Sequence, residues 1–524
     1  MSNPHQDKDR QISRQALFST ASNYLGQIII IGTGFVLTPF ILQRLGQTDY
    51  GLWLLVGSVI AYGSLFDFGI TGALTKYVAE FQARGDLSEL KRVIATALTL
   101  YSLLGIAVVV LAFLAAPLFP RLFNVPPEES ATAVRLVRLM GLGLGLLIPS
   151  GTTYAVLRGL QRFGSINLIT AGGTLLTGLA TVVVLLLGGG LLEMVAASIP
   201  LSLLMQVPAV LLIKRASPAL ELGWRGASRE WVRRVFLYSS STMAIQTAGQ
   251  LRNKTDEIVI GAFLPVASIT PYGIARRLSE AAQMLTHQFL RIILPLASQL
   301  DAEQDLGRLR ALYLTGTRLT LAIFLPIGLS LTVLAEPVLS AWVGPEYGQY
   351  AYLVWILVAS GFFFISQGTS SMILQGIAKH KWVAIAAIIS GVVNLVASIF
   401  LVQSLGLIGV ALGTLIPNIL EWMFVLPYSL IVLKVPAGLV LRKVFLPALL
   451  PGIPTFLFLW WLRIEFQPTS LLALGLAAVL GGGIYLTGYY LFGANPSERN
   501  SILDILREIV SLLKSAFRSV YVQE

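Results

Sequence analysis

The chain has 524 residues, of which 55% are hydrophobic and only 12% charged. Its 37 Lys and Arg outweigh 26 Asp and Glu to leave a net charge of +11, and it has no cysteine. Soluble domains carry about 25% charged residues, so an ordinary soluble protein is excluded, as are disulfides and thiol chemistry. Apolar runs of about 20 residues recur along the chain, each long enough to cross a hydrocarbon core of about 30 Å. Runs such as "LTLYSLLGIAVVVLAFLAA" are too long for barrel strands, so the predicted fold is an all-α integral membrane protein.

The N-terminal tail, residues 1–15, is polar and carries both signs of charge, unlike a cleaved signal. Fourteen spans are then expected near 16–43, 50–80, 93–118, 133–158, 163–187, 191–214, 233–263, 268–298, 310–334, 348–376, 382–404, 407–433, 441–463 and 468–492. With the N-terminus in the cytoplasm, most basic residues fall in inner loops and only Arg44, Arg121 and Arg463 in outer ones. That bias predicts both termini inside. Basic residues facing anionic lipid account for the net charge without nucleic acid.

An internal repeat organises the spans. "GQTDYG" (46–51) matches "ASITPYG" (267–273), "RGDLSELKR" (84–92) matches "EQDLGRLRA" (303–311), and "SGTTYAVLRGL" (150–160) matches "QGTSSMILQGI" (367–377). "LGGGLLEMVAASIP" (187–200) likewise matches "LGLIGVALGTLIP" (405–417). Six spans separate the copies, an even number, so both run in the same direction, as in parallel-repeat transporters. The expected organisation is a six-helix lobe at 16–215, a cytoplasmic linker at 216–232 and a second six-helix lobe at 233–434. Two additional transmembrane helices follow at 435–493, then a cytoplasmic amphipathic helix at 494–524. In that last segment Asn495 caps a helix with Pro496 at its first position. Its apolar face should lie on the inner leaflet.

The chain's start, with "P-x-x-x-x-x-L-G-x-x-x-Y-G" spacing from Pro39 to Gly51, "DFGI" at 67–70, "ALTKYVAE" at 73–80 and "TDEIVIGAFL" at 255–264, resembles polysaccharide-biosynthesis flippases of the Wzx type. Their superfamily also contains MATE multidrug exporters and the lipid II flippase MurJ. The resemblance covers roughly residues 12–495. It implies 12–14 helices in a V-shaped pair of six-helix bundles. It also implies translocation of an undecaprenyl-diphosphate-linked glycan, such as an O-antigen or other polysaccharide repeat unit, across a bacterial inner membrane. Polysaccharide-assembly proteins are the implied partners.

The charges within spans mark candidate sites, because lipid penalises them heavily. In span seven, Ser239, Thr242, Gln246, Gln250, Asn253 and Glu257 fall within about 80° on one helical face. In span eight, Arg276, Glu280, Gln283, His287 and Arg291 do the same. Arg291, His287, Arg276, Gln283, Gln250, Asn253 and Gln246 are candidate substrate-binding residues, with Asn23 opposite Gln246 in the first repeat. Glu257 and Glu280 are candidates for proton or sodium coupling. Lys254, Asp256 and Arg277 would complete a charge network, for which a purely structural ion-pair role stands as the alternative. Asp67, Lys76 and Glu80, in the inner part of span two, are expected either to meet head groups or to line the cytoplasmic mouth, and Arg135, Arg138 and Glu421 are expected as interface anchors.

No metal-ligand spacing appears among His5, His287 and His380, and no Walker-type phosphate loop is present. The leading reading is a non-enzymatic flippase using alternating access. An ion-coupled multidrug or lipid II exporter is the alternative within the superfamily. A membrane glycosyltransferase or glycan polymerase is the alternative from another class, disfavoured by the short outer loops.

Overall fold

The computed structural model describes residues 4–218, 220, 222–235, 254–495 and 498–499, with side chains from Gly26 onward except Ser64 and Phe66. All regular structure among them is helical. The chain divides into two compact units, residues 1–274 with 391–413 and residues 275–390 with 414–524. Packing thus assigns the opening of the second sequence repeat to the first unit.

The first unit contains α1 (Pro4–Ala61), α2 (Ile70–Arg84), α3 (Leu87–Ala115), α4 (Phe119–Leu122), α5 (Ser130–Leu147), α6 (Ser150–Gly159), α7 (Phe163–Leu186), α8 (Leu191–Leu204), α9 (Gln206–Ala216) and a helix over 254–263, α10. Within it α1 packs on α7, α3 on α5, α2 on α6 and α6 on α9. Small residues set these distances. A side chain on Gly105 would meet the Gly145 carbonyl at 2.4 Å, so α3 and α5 approach backbone to backbone.

α1 joins the first expected span to the start of the second. Gly46 breaks it with φ 80°, a conformation that favours glycine. The second part of the helix ends in a 3₁₀ turn, Tyr62–Asp67, followed by Phe68 and Gly69 in left-handed conformation, before α2 resumes. The repeated motifs meet inside this unit: Gln47 Nε2 donates to the Ala267 carbonyl (3.1 Å) and Thr270 Oγ1 to the Gln47 carbonyl (2.6 Å). Where 216–232 was expected as a linker, Trp231 Nε1 donates to Glu89 Oε2 on α3 (2.7 Å) and Ser228 N–H to Thr96 Oγ1 (3.0 Å).

The second unit contains α11 (Ile269–Ala302), whose first residues belong to the first unit, then α12 (Leu306–Val333), α13 (Ala335–Val343), α14 (Ala351–Ser366) and α15 (Gly368–Gly376). α16 (Lys381–Leu405) and α17 (Leu407–Leu433) meet at a hairpin assigned to the first unit. α18 (Ala437–Val440), α19 (Leu446–Leu449), α20 (Gly452–Glu465) and α21 (Leu471–Gly488) complete it. α12 is its centre, packed on α14, α15, α20 and α21. Asn418 Nδ2 donates to Ser360 Oγ (2.7 Å) and Ser429 Oγ to Ser370 Oγ (3.0 Å), pinning α17 to α14 and α15.

The two additional helices are tied to α12 through a buried ion pair. Arg318, 3% exposed, pairs with Glu498, 9% exposed. Its other guanidinium nitrogen donates to the Lys443 carbonyl (2.9 Å), while Glu498 Oε2 accepts from Asn495 N–H (3.0 Å). At the opposite end, Arg463 donates to Glu336 (2.5 Å) and to the Val333 carbonyl (2.9 Å).

Eleven helical segments among the described residues are long and apolar enough to cross a membrane. The other three expected spans differ for distinct reasons. The one at 50–80 is interrupted by the 3₁₀ turn. The one at 233–263 is described only at its ends. The one at 268–298 is the continuous helix α11, but its polar face keeps it below the apolarity of the rest. Large apolar side chains such as Val36, Leu187, Phe400, Ile431 and Leu472 are exposed on the helices and their turns. Such a coat suits hydrocarbon rather than water.

Candidate functional site

α11 carries the densest set of predicted site residues. Arg276 is mostly buried, 17% exposed at its side chain, and its Nε lies 3.5 Å from Glu280, which is 59% exposed. Ser279 donates to the Leu357 carbonyl (2.9 Å), anchoring this turn to α14. One turn on, Gln283 Nε2 lies 3.3 Å from the Ser279 carbonyl and Oγ, and the same side chain rests against Gly361, where a methyl group would sit 2.9 Å from that nitrogen. His287 tilts against Phe364 with ring centres 5.7 Å apart. Arg291 is exposed. Thus Arg276, Glu280, Gln283, His287 and Arg291 line one helix, with Gln283 and His287 backed by α14 and Arg291 open.

The predicted charge network has a different environment. Asp256 is 2% exposed and accepts a hydrogen bond from Tyr272 (2.5 Å), and Glu257 is fully buried. Tyr62 OH and Thr255 Oγ1 lie 2.8 Å apart, which ties α10 to the 3₁₀ turn after α1. Lys254 and Arg277 are half-buried. The two candidate coupling carboxylates are therefore unlike, Glu257 enclosed and Glu280 exposed. Gln246, Gln250 and Asn253 lie outside the described residues, as do the rest of span seven to residue 236, the side chain of Asn23, and the C-terminal helix from residue 500. Among the lesser candidates, Glu421 is buried at 5% exposure, and Arg138 stacks over Phe113 (5.6 Å).

A second polar location lies wholly in the first unit, around Asp67, which the sequence offered only as a weaker candidate. A cavity of about 290 Å³ is lined by Asp67, Thr71, Tyr101, Ser150, Tyr154 and Arg158, with Gly63, Leu144, Leu147, Ile148 and Gly151. Asp67 Oδ1 accepts from Thr71 Oγ1 (2.7 Å), from Thr71 N–H (3.3 Å) and, in a short bond, from Tyr101 OH. The 3₁₀ turn and the left-handed pair Phe68–Gly69 place that carboxylate. The "DFGI" motif was the available signal: an acid followed within two residues by a glycine that breaks the helix.

The polysaccharide biosynthesis protein family model matches residues 41–352. A probable low-salt glycan biosynthesis flippase of Haloferax volcanii is 20% identical over 399 residues, covering 76% of this chain and 79% of that protein. The lipid II flippase MurJ in an inward closed conformation shares the fold with a TM-score of 0.73 at 17% identity, over 91% of this chain and 98% of MurJ. An inward-facing MATE multidrug resistance transporter of the MOP superfamily follows with a TM-score of 0.63 at 17% identity, over 78% and 96% of the two chains. A multi-pass helical membrane chain with this repeat, matched by the family model over more than half its length, belongs to the polysaccharide biosynthesis protein family.

Proposed function

We propose that this protein is a flippase that moves a lipid-linked glycan across the membrane by alternating access and is not an enzyme. The observation that carries the reading is the family match over residues 41–352. The glycan flippase of Haloferax volcanii and the MurJ-like fold support it. On this reading the sugar–diphosphate head travels through polar surface while the polyprenyl tail stays in lipid. The face of α11 supplies the groups such a head needs. A guanidinium binds two phosphate oxygens at once, and an exposed intramembrane arginine is costly without water or an anion. Arg291, with His287 one turn before it, is assigned to the diphosphate, and Arg276 and Gln283 to the remainder of the head.

The two sequence repeats, 16–215 and 233–434, are the halves that alternate, and both termini lie in the cytoplasm of a cell whose inner membrane holds the protein. A proton or sodium gradient resets it, through Glu257 or Glu280. Deleting the gene and identifying the lipid-linked glycan that accumulates tests the function. Accumulation of none, with polysaccharide output intact, would refute it. Topology is tested with Gly226→Cys in this cysteine-free chain: an impermeant thiol reagent should label it only in inverted vesicles. Collapsing both ion gradients in proteoliposomes should slow transport, and unchanged transport would remove the coupling assignment.

A further inference from the structure

The cavity beside Asp67 has an occupant chemistry of its own. Three donors converge on one carboxylate oxygen, Oδ1, which fixes the side chain, while Oδ2 accepts no hydrogen bond from the described residues and Asp67 lines the cavity. The Tyr154 hydroxyl lines the same space with no hydrogen bond to the described residues, and the exposed Arg158 guanidinium stands at it as well. The remaining wall is the Tyr101 ring, apolar carbons of Leu144, Leu147 and Ile148, and bare backbone at Gly63 and Gly151. A fixed acceptor, a phenol, a guanidinium and apolar faces suit a ring that carries hydroxyls on its edge and C–H groups on its face. A volume of about 290 Å³ lies just below the ~300–1,000 Å³ typical of small-molecule sites, room for one ring rather than a chain.

A bare metal cation suits the cavity less well. Hard cations collect six or more oxygen ligands and favour several carboxylates. Here a single carboxylate lines the space, one of its oxygens is already saturated, and a guanidinium shares the cavity.

We infer that this cavity of the first unit is a subsite for one sugar ring of the transported glycan, with Asp67 Oδ2 and the Tyr154 hydroxyl bonding its hydroxyls. The inference rests on the flippase reading and deepens it, because it gives the first unit a role in recognising sugar while the face of α11 recognises the diphosphate.

The test uses the full-length protein in detergent and measures binding of polyprenyl diphosphate, bare or carrying one glucose, galactose or N-acetylglucosamine. Wild type should bind at least one glycosylated lipid about tenfold more tightly than the bare lipid. Asp67→Asn should erase that preference and leave affinity for bare polyprenyl diphosphate unchanged. Tyr154→Phe, which removes no hydrogen bond of the described protein, should reduce the preference several-fold and guards against misfolding of the Asp67 variant. Wild-type preference that survives in both variants overturns the subsite while leaving the flippase reading intact. Wild type that binds neither bare nor glycosylated lipid overturns the flippase reading itself, and the subsite with it. A sodium-dependent thermal shift abolished by Asp67→Asn, with sugar preference unaltered, overturns the subsite in favour of a cation.

Discussion

The two sequence repeats share backbone features at matched points among the described residues and fill the space between them differently. Gly159 on α6 abuts Val78 and the Thr75 carbonyl, and its counterpart Gly376 on α15 abuts Ala297 and the Leu294 carbonyl. Asp86 caps α3 through the Glu89 N–H (3.1 Å) as Asp305 caps α12 through the Arg308 N–H (2.9 Å). Gln161 and Ala378 both adopt positive φ, at 58° and 57°. The divergence lies between these matched points. "YG" at 50–51 and 272–273 is offset by 222 residues, but Asp86 and Asp305 by 219. The first copy thus has three additional residues where the 3₁₀ turn interrupts it, whereas α11 runs unbroken. At the 219 offset Thr71 corresponds to Leu290, which is 5% exposed and presses on Gly368, and Tyr101 corresponds to Thr320. Leucine therefore packs in the second copy at the position where the first keeps a threonine beside a cavity and a carboxylate. Shared backbone geometry reports the duplication; the filling of equivalent space reports how the copies have specialised.

The largest expected effect comes from a feature present in one copy alone. Arg318 corresponds to Thr99, whose hydroxyl only bonds back to the Ala95 carbonyl (2.8 Å). Arg318→Ala strands the buried Glu498 carboxylate and should cost about 3–5 kcal/mol. Thermal unfolding in detergent would show it, and the double variant Arg318→Met with Glu498→Gln should recover most of the loss. Thr99→Ala should be near neutral.

Exchanging Thr71 and Leu290 probes the comparison directly. Leu290→Thr opens a void in an apolar core and should cost about 2–4 kcal/mol without changing which glycan is exported. Thr71→Leu should fill the first-copy cavity, leave protein abundance near normal and lower export several-fold. Equal effects of the two substitutions on export would erase the functional contrast. The matched glycines should behave alike: Gly159→Ala and Gly376→Ala each force a methyl group within 3 Å of a neighbour and should cost about 1–3 kcal/mol. A tolerated substitution at one and not the other would break the equivalence of the copies.

The smallest effect is at the caps. The Glu89 N–H, and then the Ser88 hydroxyl, hold the Asp86 carboxyl below its ordinary value. A depressed folded-state value means that the stabilisation is complete above the ordinary carboxylate pKa near 4 and fades as pH falls through the folded value. Asp86→Ala should lower the unfolding midpoint slightly at pH 7, and the difference from wild type should vanish in acid.

Much of this was legible in the sequence because it is local or periodic. The repeated motifs were read directly, and the alignment of Arg276, Glu280, Gln283, His287 and Arg291 follows from helical period, while the Asp86 and Asp305 caps lie inside those motifs and went unread. The Arg318–Glu498 pair was not legible, because 180 residues separate its members and neither stands out within its own helix. The burial of Glu421 was not legible either, because sequence does not show which face of α17 is covered. Asp67 was noticed but placed at head groups or the cytoplasmic mouth, without its cavity. The three-residue change in repeat offset was the physical clue that its helix is interrupted, and an interrupted helix exposes both backbone and an inward-facing carboxylate.

On the proposed function the chain carries an intact lipid-linked glycan from one leaflet to the other. Its direct test is a leaflet-protection assay in proteoliposomes containing a lipid-linked oligosaccharide, with an impermeant glycosidase added outside. Wild type should expose the whole pool to the enzyme, Arg291→Ala should expose only the outer-leaflet pool, and the glycan recovered before digestion should be unaltered. Protection of the inner pool in the presence of correctly folded wild type, or elongation of the glycan by the purified protein, would contradict the account.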